Sequence, residues 1–215
     1  MNIQSYTLLY NDQCPLVFVG KTYYNQMMYD YFSKNGYDCQ MCLVEDIENN
    51  DQPWFDDRRF IAASSNVATK RFITGRLAYR HPRYFSVVGQ FNSFNESAQI
   101  GRGVFIENNN TAICNDIVIG DQVTITNYVC LGHNVNIGDF CHISSYSYLN
   151  FTTLGQGNCL GSRVSIFGKK DNILFTSDNC NYLTGSLVTK TVDSTGTYYH
   201  NRRLSSETSV SYDIL

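Results

Sequence analysis

Aliphatic side chains recur at every sixth residue through the middle of the chain, at Ile113, Ile119, Ile125, Leu131, Ile137, Ile143 and Leu149. Ile, Leu and Val fill 44 of the 215 positions. At that density, seven successive matches arise by chance at about 10⁻⁵ per starting point. A second row lies four positions on, at Ile117, Val123, Val129, Val135, Cys141 and Ser147. Glycine follows the first aliphatic at Gly101, Gly120, Gly132, Gly138, Gly155 and Gly161. The ladder starts at Ile100 and Ile106, slips by one residue, slips again near Leu154, and resumes at Leu160 and Ile166.

A six-residue period is a multiple of the strand period and not of the helical turn, so positions one and five of each hexad face the same way. A regular turn every six residues predicts a parallel β-helix with flat sides and an inward stack of Ile, Val and small residues. The spacing carries no handedness.

The first ninety residues follow another pattern. Leu16 to Val19 reads as a strand ending at Gly20. Tyr24 to Lys34, with Met27, Met28, Tyr31 and Phe32 at helical spacing, reads as an amphipathic helix stopped by Gly36. Tyr37 to Val44 and Arg59 to Ala63 read as further strands, and Asn66 to Leu77 as a second helix. Strand–helix–strand alternation predicts a small α/β unit with parallel pairing. The expected divisions are 1–90, 91–193 and a tail of 194–215, with a hinge near Phe91 to Glu96. After Val192 the ladder is lost, and the tail is expected to pack back or to reach a neighbour.

Charge and cysteines narrow the class. A net charge of -3 and a pI near 5.7 exclude an overall electrostatic footprint for duplex nucleic acid. No apolar run is long enough to span a bilayer, and the first residues lack a signal-peptide layout. Eight cysteines then read as reduced thiols, and the expected location is cytoplasmic. Only Cys39 and Cys42 have CxxC spacing, and strand alternation points them to opposite faces, so no metal site is expected.

The hexads match the pattern of hexapeptide-repeat acyltransferases. Leu131-Gly-His-Asn-Val-Asn-Ile-Gly-Asp-Phe-Cys-His-Ile-Ser144 resembles the active-site stretch of sugar acetyltransferases of the sialic-acid-cluster O-acetyltransferase and bacillosamine N-acetyltransferase types. Val188 to Val192 resembles the segment that closes their helix. The resemblance implies a small N-terminal α/β (Rossmann-like) domain followed by a left-handed parallel β-helix of hexapeptide repeats, assembled as a homotrimer. It implies acetyl transfer from acetyl-CoA, without a metal, to a nucleotide-linked amino sugar such as a 4-amino-4,6-dideoxy sugar. An O-acetyltransferase for sialic acid or another polysaccharide sugar, and a non-catalytic homologue, stand as alternatives. The chain departs from the family pattern in several places. Lys21, Thr22 and Tyr23 follow Gly20 where a glycine-rich turn is usual, Phe91-Asn92 replaces a His-Pro pair, Asn134 replaces an acidic residue, and Phe151 replaces a glycine.

Acetyl transfer needs a base for the nucleophile's proton and donors for the developing oxyanion. His133, at an outward hexad position, is the expected base, since an imidazole with an ordinary pKa of about 6.5 accepts a proton at pH 7. Asn134 can orient it only as a neutral partner, and Glu107, Asp116, Asp121 or Asp139 can supply the missing carboxylate. By resemblance His142 contacts the acyl donor near its thioester, and the Phe151 backbone N–H stands where an oxyanion donor is expected. Ser162 and Arg163 are placed along the donor's tail, and Lys169 and Lys170 at its phosphates. For the acceptor, Gly20, Lys21, Thr22 and Tyr23 lie at a strand-to-helix turn that can hold a phosphate. Asp46 follows the second strand, and Ser64 and Asn66 follow the third, at the carboxyl edge where α/β sheets bind ligands. Cys130, three residues before His133, is a weaker nucleophile candidate.

Overall fold

Each hexad forms one short strand and one corner. The computed structural model describes residues 6–9, 14–48, 57–90, 92–109 and 111–206, so Phe91 of the expected hinge and the end of the tail fall outside the description. Ile117 pairs in parallel with Val135 and Ile119 with Ile137, three hexads on, so three strands make one coil. The coils stack into three parallel faces. The first face runs through Val87–Gly89, Phe105–Ile106, Thr124–Ile125, His142–Ile143, Cys159–Leu160, Cys180–Tyr182 and Gly196–Tyr199. The second runs from Ser93–Phe94 through Cys130–Leu131 to Leu187–Val188, and the third from Gln99–Ile100 through Val135–Ile137 to Leu174–Thr176.

Both hexad rows are buried and line one core, as the period requires. The corners explain the rest of the repeat. Position four of successive hexads is left-handed at Asp116, Gln122, Tyr128, Asn134, Phe140 and Tyr146, with φ between +49° and +64°. The two expected slips are present. Phe105 pairs with Thr124, one residue more than three hexads, and Val135 pairs with Thr152, one residue fewer. A wider coil follows, in which Thr152 pairs with Leu174 and a turn closed by Lys169 and Asn172 projects from the corner. The described part of the tail packs back: Gly196–Tyr199 adds a parallel strand to the first face, and Arg202–Ser205 pairs antiparallel with it.

The α/β unit contains β1 (Tyr6–Leu8), β2 (Leu16–Val19), α1 (Tyr23–Lys34), β3 (Cys39–Cys42), α2 (Val44–Glu48), β4 (Arg59–Ile61) and α3 (Val67–Leu77). β3, β2 and β4 form a three-stranded parallel sheet in that order, while β1 leaves it and pairs antiparallel with Val87–Gly89 of the first face. The strand expected to reach Val44 stops at Cys42, because the Asp46 carboxylate accepts the Leu43 N–H at 3.0 Å and starts α2. Leu16, Phe18 and Cys39 pack on one side of the sheet with Met28 and Phe32, and Val17, Val19 and Cys42 on the other with Ile73 and Leu77. The two cysteines of the CxxC therefore face opposite ways, as alternation predicts. Phe105 points out from the first face into the α1 cluster, its ring 5.3 Å from that of Tyr24. The α/β unit thus covers the outer side of the first face. Among the described residues no helix is long and apolar enough to cross a membrane.

Candidate functional site

His133 lies between strands Cys130–Leu131 and Val135–Ile137, on the edge joining the second and third faces, and is exposed. Its backbone is clamped from the next coil. His133 N–H donates to Asn150 Oδ1 at 2.8 Å, and the His133 carbonyl accepts the Phe151 N–H at 2.8 Å. Asn134 holds the left-handed corner with φ +49°, its N–H donating to the Asn115 carbonyl and its carbonyl accepting the Thr152 N–H. Asparagine suits that conformation, which is reason enough for its presence. No hydrogen bond joins the Asn134 amide to the His133 ring among the described residues.

The same edge carries Asp116 one coil earlier, Phe151 one coil later, and the turn with the exposed Lys169 and Lys170 beyond. The Phe151 ring lies 6.3 Å from the imidazole, centroid to centroid. Its N–H, expected to face a developing oxyanion, instead donates to the His133 carbonyl and is not open to an oxyanion. Asp121 and Asp139 fall on the edge between the third and first faces, where their Oδ1 atoms accept the N–H groups of Arg102 and Asp121. Glu107 follows the first-face strand Phe105–Ile106 and is buried, which raises its carboxyl pKa. Of the four carboxylates considered, Asp116 alone shares the His133 edge.

Ser162 and Arg163 are separated from Lys169 and Lys170. They lie on the edge between the first and second faces, where Tyr128 and Tyr146 stack at 4.9 Å and the Arg163 guanidinium lies 5.9 Å from the Tyr146 ring. A single donor tail within one chain does not follow both groups.

His142 is also relocated. It projects from the first face beneath the α/β unit and is 4% exposed, its Nε2 3.0 Å from Ser144 Oγ and its Nδ1 without a partner among the described residues. Burial, helped by the Lys70 ammonium, lowers its pKa to about 3. A side chain held there does not face an acyl donor in the open. Lys70 is the residue the sequence reading missed. It is fully buried, and its ammonium donates to the Cys141 carbonyl at 2.9 Å and lies 3.4 Å from Thr124 Oγ1. Desolvation pulls its pKa down to about 7. Its spacing with Ile73 and Leu77 on α3 was the signal that placed it on a buried face.

The acceptor candidates gather at the carboxyl edge of the three-stranded sheet. Gly20 takes φ +88°, and a Cβ there would sit 3.3 Å from Ile73 Cδ1. Thr22 caps α1 by accepting the Asn25 N–H at 3.1 Å and donates to the Ala63 carbonyl at 2.6 Å. The buried Asn25 completes the knot, donating to the Val19 and Gly20 carbonyls and accepting the Ala63 N–H. Ser64 accepts the Asn66 N–H, and Asn66 caps α3. These bonds bring Gly20 and Thr22 beside Ala63, the neighbour of Ser64. Lys21 and Tyr23 are exposed next to them, whereas Asp46 is engaged in capping α2.

No protein-family model matches the chain, and no curated protein matches its sequence. Solved structures do match in fold. The acetyltransferase domain of PglB from Neisseria gonorrhoeae superposes with a TM-score of 0.76 at 15% identity, over 89% of this chain and 99% of that one. The same domain in complex with acetyl coenzyme A gives 0.73 at 14% identity, over 88% and 98%. WeeI from Acinetobacter baumannii gives 0.66 at 14% identity, over 89% and 99%. A parallel β-helix bearing a small α/β unit on one face is the fold this chain shares with the PglB acetyltransferase domain.

Proposed function

We propose that the chain is an acetyl-CoA-dependent N-acetyltransferase for a nucleotide-linked amino sugar, with His133 as general base. The observation that carries this reading is the exposed His133, its backbone clamped at both ends, on a fold shared with an acetyltransferase domain solved with acetyl coenzyme A. The sugar amine attacks the thioester carbonyl while the imidazole takes its proton. The tetrahedral intermediate then expels the coenzyme A thiolate, which receives that proton from the imidazolium. Preorganisation of His133 by Asn150 and Phe151 keeps the base in place between turnovers. The Lys169–Lys170 turn supplies positive charge for the donor's phosphates on the same edge.

In this reading 1–90 is the nucleotide-sugar domain, 91–193 the left-handed helix, and 194–215 the C-terminal tail. The Gly20–Tyr23 turn, with Ser64 and Asn66, receives the acceptor, a reading supported by the Thr22–Asn25–Ala63 knot. The His133 edge is the one corner of the triangular coil that does not border the first face, which the α/β unit covers. One chain therefore keeps base and acceptor turn apart, and a homotrimer joins them by setting the His133 edge of one copy against the acceptor turn of the next. Eight free cysteines suit a reducing, cytoplasmic setting.

Incubation with acetyl-CoA and a panel of uridine- and thymidine-linked sugars, with thiol release as readout, tests the reading. Release is expected with 4-amino-4,6-dideoxy sugars and not with their hydroxyl counterparts. Release with hydroxyl acceptors alone would make the enzyme an O-acetyltransferase, and failure to bind acetyl-CoA would leave a non-catalytic β-helix.

A further inference from the structure

The edge that carries His133 changes character from coil to coil. Asp116 stands at its corner one coil before, Phe151 one coil after, and the turn with the exposed Lys169 and Lys170 beyond. An acidic group, the imidazole, an aromatic ring and a basic pair thus follow one another along a single line of corners. That order gives a direction to substrates laid along it. A donor whose phosphates sit at the lysines brings its thioester to the imidazole from the Phe151 side.

Phe151 is fixed as firmly as His133. Its N–H donates to the His133 carbonyl at 2.8 Å, and its own carbonyl accepts the Leu174 N–H at 3.0 Å. Gly168 lies against it, where a Cβ would overlap the Phe151 carbonyl oxygen. The Phe151 backbone is left-handed, with φ +45°, a conformation that Asn134 takes one coil earlier and that suits asparagine better than phenylalanine. The ring is half-buried, and its centroid lies 6.3 Å from that of the imidazole. A phenyl ring makes no strong hydrogen bond, so what it contributes beside His133 is volume.

That volume stands at a particular distance. A base takes the proton of an attacking amine across about 3 Å, and the amine approaches the carbonyl carbon to about 3 Å before the bond forms. The carbonyl carbon therefore lies within about 6 Å of the imidazole, and the acyl chain starts there. The Phe151 ring meets that radius on the donor's side. An apolar wall that cannot move leaves room for a short acyl group and collides with a longer one.

On the reading of His133 as the base, we propose that Phe151 sets the acyl-chain length of the donor, admitting acetyl and excluding butyryl. Thiol release from acetyl-, propionyl- and butyryl-CoA, with one accepted amino sugar, is compared among wild type, Phe151→Asn and Phe151→Gly. Both replacements suit a left-handed corner and keep the two backbone hydrogen bonds, so the ring alone is removed. Wild type is expected to prefer acetyl-CoA to butyryl-CoA about 100-fold or more in kcat/KM, and both variants to narrow that ratio at least about tenfold, with propionyl-CoA between. The ratio is read within each protein, so a general change in activity cancels. The proposal is overturned if wild type uses butyryl-CoA as readily as acetyl-CoA, or if the ratio in both variants stays at the wild-type value. An equal loss for all three donors, matched by weaker binding of coenzyme A itself, overturns it by placing the ring against the donor's tail. Loss of all turnover in variants with a wild-type melting temperature overturns it by giving the ring a part in the chemical step. In each of these cases wild type still transfers acetyl groups and the reading of His133 stands, whereas no thiol release by wild type from any of the three donors removes both.

Discussion

Asn150 reaches across Gly132 to hold the backbone of His133. Its Oδ1 accepts the His133 N–H at 2.8 Å, and a Cβ placed on Gly132 would sit 2.4 Å from that same atom. The glycine of this hexad is therefore the space through which one coil fixes the proposed base of another. Gly132→Ala should displace the Asn150 carboxamide and loosen His133. Turnover is expected to fall about tenfold or more, by loss of positioning, with a lower melting temperature. Unchanged turnover would show that the clamp has no part in the chemistry.

The register of the helix is tested by neighbours. Val135 is 1% exposed and belongs to the inward row, whereas Asn136 is exposed on the third face. Val135→Asp buries an unpaired carboxylate at a cost of several kcal/mol and should prevent folding. Asn136→Asp should shift stability by less than about 0.5 kcal/mol. Denaturant titration of both separates them, and equal behaviour would contradict the register.

The joint between α3 and the first face should respond to pH through Lys70 and His142. The unfolded lysine titrates near its ordinary value of 10.5, and the folded one near about 7. Between those limits the unfolded chain binds more protons, so the Lys70 contribution to stability rises with pH from about 7 upward. His142 works in the same direction at lower pH: its pKa falls from 6.5 to about 3 on folding, so stability is lost as pH drops through that window. The titratable and charged groups facing Lys70 are Cys141, Cys159, Arg71 and His142. Their own titration is removed by comparison with Lys70→Met, whose advantage over wild type should shrink between pH 7 and 9. A constant difference would mean that Lys70 stays charged throughout.

The His133 edge and the covered first face lie on opposite sides of the coil, so the proposed reaction needs more than one copy. Light scattering should give three times the mass of the chain at micromolar concentration. A monomer that still transfers acetyl groups would contradict the shared site.

The hexad rows were legible because the period decides which side chains enter the core, and all thirteen named positions from Ile113 to Leu149 point inward. Which edge each corner occupies was not legible from one hexad. It depends on three hexads closing one coil and on the slips between them, which is why Asp121 and Asp139 fall away from His133 and why Arg163 parts from Lys169. The burial of His142 depends on which face the α/β unit covers, a tertiary fact that the local pattern does not carry. The Phe151 N–H could be assigned only once the coil-to-coil bond to His133 was seen. Val44 reads as strand by its apolar run, but the Asp46 cap makes it helix.

The central claim is that His133 is the base of an acetyl transfer, and the kinetics of His133→Ala test it most directly. With acetyl-CoA and an accepted amino sugar, kcat should fall about 10²–10⁴-fold, the usual contribution of a positioned base. The acetyl-CoA dissociation constant should stay within a few-fold, because the base acts mainly in the transition state. Near-normal turnover in His133→Ala would contradict the account and leave His133 a surface residue of the β-helix edge.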